Sequence, residues 1–413
     1  MKKYNKVLAI ALVAFLVFTT NSILAVDNHS IDNQPADNKP VEDTLLVATT
    51  TSASAPDKEE NEEESPAPSE DLSTLRLSLE NALEMVETGN STFRLTDDKI
   101  AIYERQYEQA LAVHLANYSE VDEKSAKGRR LNHKRALWTL ENAQYDREKQ
   151  LKDLKVQVAN QYQNILALQE QVKTFEKQIE NVDTLIEQLN LQIDLGLGIE
   201  SQVLALKAQK SSLEAGLAAA QNNIKSSMIA LKRDLGININ REVILTSDLL
   251  PYKKFDDSNL NKRIKEAIEN DYDKKRYEED IELTEIEYKI AFDYDNPAAD
   301  QLQISIEDKK ATLEALPITK EVALRTAYNN LKSMENSVEA AKLAVEADQI
   351  NIELLQKKID AGVSSSIEII ELQTKLLNDQ YTLLQSINSY MTAVANFENS
   401  LDFVAADLQD STK

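Results

Sequence analysis

Glu368 and Glu371 are the pair in this chain whose type and spacing come closest to a chemical device. Three positions apart, they fall on one face of a helix, just after the turn signal Gly362. Neighbouring carboxylates attract cations, and each disfavours ionisation of the other. Taken singly, they are what most charge pairs on a helix are, a solvated face. Catalysis finds no comparable group. The histidines are His29, His114 and His133, none with a cluster of partner residues in the sequence. Cysteine is absent, which removes disulfides, thiolate metal sites, cysteine nucleophiles and a lipid-modified N-terminal Cys. No nucleophile elbow, phosphate loop or metal-binding triplet is found. The sequence therefore offers no catalytic residue, metal ligand set or cofactor site, and it does not read as an enzyme. Trp138 and the 14 tyrosines read as helix-packing residues. The net charge of −24 speaks against a nucleic-acid partner, whose phosphates attract basic surfaces.

The elements that position the two glutamates are legible because the chain contains them twice. Val158 to Gly236, moved forward by 166 positions without a gap, falls on Leu324 to Asp402. Tyr162 meets Tyr328, Ile165 Leu331, Val172 Val338, Ile186 Ile352, and Leu235 Leu401. In the first arm the apolar positions Ile165, Leu168, Val172, Phe175, Ile179, Val182, Ile186, Leu189 and Ile193 alternate spacings of 3 and 4. That period keeps one seam of a helix against a partner, as in a coiled coil. The pattern then breaks at Gly196 and Gly198 in one copy and at Gly362 in the other. Glycine ends helices by adopting the left-handed conformation. A second helix returns from each turn, so the repeated unit is a long helical hairpin.

A weaker repeat lies upstream at an offset of 181: Leu79 meets Leu260, Leu83 Ile264, Ile100 Ile281 and Tyr107 Tyr288. Each half is then a helix, a connection and the long hairpin. The first connection is 15 residues longer than the second, the difference of the two offsets. The arm from about Trp138 to Leu195 would be about 87 Å long. The class is all-α, with long antiparallel coiled-coil hairpins duplicated in tandem and little or no β-structure.

Residues 1–25 read as a secretory signal. Lys2, Lys3 and Lys6 precede the apolar run Val7 to Phe18 and the small-residue end at Ala25. Residues 26–72, with Pro35, Pro40, Pro56, Pro66, Pro68 and the acidic run Glu59 to Glu64, read as a disordered linker. The first helical repeat spans 73–236, a crossover 237–259, the second repeat 260–402 and a polar tail 403–413. Val243-Ile244-Leu245 in the crossover reads as a short strand.

Two tandem helix–connection–hairpin units behind a signal peptide resemble the TolC-like outer-membrane efflux family. The most specific mark is the second turn: Gly362, then Glu368-Ile369-Ile370-Glu371 and Leu372-Gln373. The opening Leu77-Ser78-Leu79-Glu80-Asn81-Ala82-Leu83, followed by Gly89-Asn90, also resembles the family's start. The first turn, Gly196 with Gln202-Val203-Leu204-Ala205, matches more loosely. The resemblance covers Leu77 to about Leu401. It implies a TolC-like α-barrel protomer, a homotrimer, and an efflux or secretion conduit that docks a membrane-fusion adaptor protein and an inner-membrane pump. On these positions it places the acidic entrance ring at Glu368 and Glu371. Adaptor docking falls to the turn residues Gly196, Leu197, Gly198, Gly362, Val363 and Ser364. It also implies an outer-membrane location, and there the sequence departs from it. A spanning strand takes about 9–11 residues of alternating polarity. The first connection, Leu115 to Arg135, has no such alternation, and the second, Phe292 to Pro317, offers only Leu302, Ile304 and Ile306. The membrane barrel is expected to be missing or vestigial. The alternative to a conduit is an exported, non-channel coiled-coil scaffold of the cell envelope.

Overall fold

The computed structural model describes residues 73–116, 119–196, 199–361, 363–364 and 368–402. The signal, the linker, the tail 403–413 and the turn residues Leu197, Gly198 and Gly362 lie outside the described residues. Two short strands and nine helices occupy the rest: β1 (Leu75–Leu77), α1 (Leu79–Gly89), α2 (Ser91–Leu115), α3 (Glu123–Arg130), α4 (Asn132–Asp194), α5 (Glu200–Asp234), β2 (Val243–Leu245), α6 (Leu260–Glu269), α7 (Tyr272–Asp293), α8 (Ala298–Asp360) and α9 (Glu368–Asp402). The paired elements match in length: α4 and α8 each have 63 residues, α5 and α9 each have 35.

Local chemistry sets several of the starts. Ser78 caps α1 by accepting from Asn81 N at 3.1 Å, and Asn90 caps α2 by accepting from Phe93 N at 2.9 Å. Asp122 and Ser125 form a reciprocal capping box at α3. The long helices then follow their seams. α4 packs against both α5 and α9, and α9 against α8, so the hairpins lie in the order α5–α4–α9–α8.

Three apolar clusters hold this layer. Near the turns, Phe175, Val182 and Ile186 of α4 meet Val203, Leu206 and Leu213 of α5 and Ile369, Ile370 and Leu377 of α9. Ile193 and Ile359, the last apolar residues before the two turns, join the same cluster, so both turns stand at one end. The second cluster gathers Leu77, Val86, Phe93, Val158, Tyr162, Leu231 and Leu235. Here β1 pairs in parallel with β2, Leu75 opposite Val243 and Leu77 opposite Leu245. The hydroxyl of buried Tyr162 ties the strands to α4: it donates to Leu77 O at 2.8 Å and accepts from Thr246 N at 3.1 Å and Ser247 N at 3.0 Å. The third cluster, around Leu324, Leu331, Val338, Tyr390 and Phe397, does the same for the second hairpin. There Tyr390 Oη accepts from Phe255 N at 2.9 Å.

The second connection, whose alternation allowed one short strand at most, holds none among the described residues. Residues 302–306 are not a strand: α8 starts at Ala298 and runs through Pro317 to Asp360. Ala299, half-buried Leu302 and buried Ile306 form a helical stripe, while Ile304 is exposed. Period two over three residues is too short to separate a strand from one face of a helix. The turn from α7 to α8 is residues 294–297, with Asp295 in the left-handed region at φ 51°. The extra length of the first connection forms α3. Among the described residues β1 and β2 are the only strands, and β1 went unanticipated.

Candidate functional site

Glu368 and Glu371 open α9 in its first turn, and both are exposed. Ile369 and Ile370 between them are buried against α4 and α5. Burying those two aliphatics fixes the rotation of α9, and this leaves both carboxylates on its outer side. Acidic side chains in a first turn also complement the helix dipole, so the pair stabilises the helix start in any case. At the counterpart positions of α5 the chain has half-buried Gln202 and exposed Ala205, so an acidic pair belongs to one hairpin alone.

The turns themselves present apolar side chains. Gly196 has φ +74° and nothing near its missing Cβ, and its N–H donates to Ile193 O at 2.8 Å. Around it Leu191, Leu195, Ile199 and Leu204 are all exposed by 60% or more. At the second turn Val363 is 76% exposed, and its N–H donates to Lys358 O at 2.9 Å. Ser364 is half-buried. A shallow groove between α4 and α5, lined by Asn190, Ile193, Glu200, Ser201, Leu204 and Lys207, runs to the first turn. Exposed apolar groups with a polar rim are the makings of a contact surface.

Behind the turns each hairpin carries an ion pair, the two one position out of register. Lys210 of α5 reaches Asp183 of α4 at 2.6 Å, and Lys375 of α9 reaches Asp348 of α8 at 2.7 Å. Asp348 is 3% exposed and stands where the first copy has Val182. Lys375 also meets Asp379 at 2.8 Å, and that hydrogen bond holds the Asp379 carboxyl below the usual range. Gln178 Nε2 donates to Gln373 O at 2.7 Å and Gln209 Nε2 to Thr374 Oγ1 at 3.0 Å, which pins α9 to the first hairpin.

At the α2–α4 end the structure assembles a group that sequence reasoning missed. His114 and His133 stack with ring centroids 3.8 Å apart. His114 Nδ1 lies 2.6 Å from Arg129 O, while His133 Nδ1 is buried without a partner. Burial, and then the charges of His114 and Lys134, hold His133 below its usual value. The pair is 19 positions apart and joined by α3, so no local spacing announces it. No set of three or more His, Cys, Asp or Glu able to hold a metal occurs among the described residues. Nearby, Trp138 Nε1 donates to Arg276 O at 3.2 Å and Tyr145 stacks on Tyr272 at 3.8 Å, as packing residues do.

The fold has solved counterparts. No family model matches the chain, and no curated protein matches it. The outer membrane protein VceC of Vibrio cholerae is 13% identical with a TM-score of 0.62, over 78% of this chain and 95% of that one. The CmeC outer membrane channel of Campylobacter jejuni is 12% identical with a TM-score of 0.59, over 78% and 85%. The open state of the MtrE outer membrane channel of Neisseria gonorrhoeae is 11% identical with a TM-score of 0.55, over 78% and 88%. The chain thus has the TolC-like helical fold, and the CmeC and MtrE proteins it is similar to are outer membrane channels.

Proposed function

We propose that the chain is the protomer of an exported, trimeric, TolC-like α-barrel serving efflux or secretion in the cell envelope. The observation that carries this is the open-edged layer α5–α4–α9–α8. Its outer helix α8 leaves Leu343, Ile350 and Leu354 more than half exposed, at spacings of 7 and 4 that trace one face. Apolar stripes of that kind are covered by a neighbouring helix, and α5 of a second copy is the complementary edge. Three copies closed in this way would bring Glu368 and Glu371 together as a ring of six carboxylates at the turn end. The exposed turn residues Gly196 and Val363, with Ser364, would meet the hairpin of an adaptor protein that links the barrel to an inner-membrane pump.

The other end sets the limit of the likeness. Seven residues separate α2 from α3 and four separate α7 from α8, each fewer than the about 9–11 a membrane strand takes. No helix among the described residues is long and apolar enough to cross a membrane. The barrel would therefore run through the envelope and leave membrane insertion to another component. Electron microscopy of the purified protein tests the reading. Hollow three-fold particles support it; solid or monomeric particles would favour the coiled-coil scaffold.

A further inference from the structure

The two copies of the hairpin-base junction differ, and the difference leaves a cleft. In the first copy the bend between α1 and α2 is sealed. A Cβ on Gly89 would lie 2.0 Å from Leu235 O, and one on Gly236 would lie 2.1 Å from Gly89 O. Beside this contact Asn90 uses both ends of its amide. Oδ1 accepts from Phe93 N at 2.9 Å, and Nδ2 donates to Asp234 O at 3.0 Å. In the second copy Gly89, Asn90 and Gly236 become Asn270, Asp271 and Asp402. With a side chain at the position of Gly89, the close backbone contact of the first copy cannot form. A cleft of about 430 Å3 opens between the α6–α7 bend, α4, α8 and the end of α9.

Asp271 keeps half of the asparagine's work. Its Oδ1 accepts from Asp273 N at 3.3 Å, capping α7, and from Lys320 Nζ at 3.2 Å. Oδ2 cannot repeat what Asn90 Nδ2 does, because a carboxylate has no proton to give a carbonyl. It is buried without a partner in a side chain only 5% exposed. In the same wall Asn399 Nδ2 is a buried donor without an acceptor. Such atoms cost free energy until something pairs with them. Asp153 also lines the cleft, and burial raises its carboxyl above the usual range despite Lys149. Lys149, Lys152 and Lys320 line it together with Asp153, Asp271 and Asp273. With three charges of each sign, neither a bare cation nor a bare anion is complemented. The volume falls within the range of small-molecule sites.

We propose that this cleft binds a small zwitterion of amino-acid size, its ammonium group against Asp271 and Asp153 and its carboxylate against Asn399 and Lys149. The site is independent of the conduit reading: it needs only the second copy of the junction.

Calorimetric titration of the full chain tests it, with L-alanine and 4-aminobutyrate as zwitterionic probes and butylamine and butyrate as their halves. At least one zwitterion should bind once per chain, tenfold or more tighter than either half. Asp271→Asn keeps the cap and the volume of the residue, so helicity and the thermal midpoint should hold while binding falls tenfold or more. Ala327→Leu fills the cleft without touching charge and should abolish binding. No heat from either zwitterion would mean a cleft filled by water, and the proposal would be wrong. It would also be overturned if a half-probe bound as well as the whole, or if binding survived both substitutions.

Discussion

Adding a methyl group at Gly89 probes the sealed junction directly. In Gly89→Ala the new Cβ would stand 2.0 Å from Leu235 O and 2.8 Å from Leu235 C. Ordinary contact begins near 3.4 Å, so the junction must part by about 1.4 Å. The atoms in the way are backbone, and no side chain can swing aside. Parting them stretches the 3.0 Å bond from Asn90 to Asp234 O beyond hydrogen-bond range, at a cost of about 1–3 kcal/mol for the buried groups left unpaired. Overpacking adds about 1–3 kcal/mol, and alanine's better helix propensity returns up to about 1 kcal/mol. The expected net loss is about 3 kcal/mol. Gly236→Ala meets the same wall from the other side, and its φ of +65° adds about 1–2 kcal/mol, for a loss of about 4 kcal/mol. Gly196→Ala is the control. Its φ is +74° but nothing lies within 4 Å, so about 1 kcal/mol of backbone strain is all it loses. Once Gly89→Ala has opened the junction, adding Gly236→Ala costs little beyond the strain, so the double variant should fall about 2 kcal/mol short of the sum. Urea midpoints at unchanged slope measure all four proteins. A Gly89→Ala variant no less stable than Gly196→Ala, or strict additivity in the double variant, would refute the close-contact reasoning.

Three further outcomes are expected. Lys375→Met strands Asp348, whose side chain is 4% exposed, and should cost about 2 kcal/mol after allowing for the lysine's own exposure. Adding Asp348→Val, the residue of the first copy, should restore the loss in the same urea assay. Replacing Glu368 and Glu371 by Gln keeps volume and helicity, should abolish divalent-cation binding at the turn end, and should leave or strengthen trimer formation. Superimposable titration curves for the two proteins would leave these residues as ordinary surface. His133 gives a pH dependence. Its folded value lies below 6.5, so unfolding of its neighbourhood takes up a proton. Stability is therefore full above about pH 6.5 and falls as pH drops through 6.5 toward the lowered folded value. Hydrogen exchange in α3, corrected for intrinsic rates, should speed up relative to the core between about pH 7.5 and 5.5, and His133→Gln should flatten that change.

Heptad spacing and the two gapless offsets determined most of the helical architecture. A seam of Ile165, Val172, Val182 and Ile186 is buried against other helices, here α5 and α9. Glycine at 196 has a backbone reason to end that helix, seen in its positive φ. The spacing of Glu368 and Glu371 put them on one helix face; the burial of the aliphatics between them is what leaves both exposed. What sequence could not supply was any contact whose partners lie far apart in the chain. β1 is three residues whose pairing with β2 crosses 168 positions. The stacked histidines depend on how α3 folds back. The alternation at 302–306 allowed one short strand at most; over so few residues it fits two periods, and packing selects the helix. The cleft beside Asp271 is the clearest case. The substitutions Gly89 to Asn270 and Asn90 to Asp271 are visible in the aligned copies, but they become a vacancy only where α9 brings Leu401 and Asn399 to the bend. A missing methyl-sized gap and an unpaired oxygen are properties of packed neighbours, and the tertiary structure alone decides which neighbours those are.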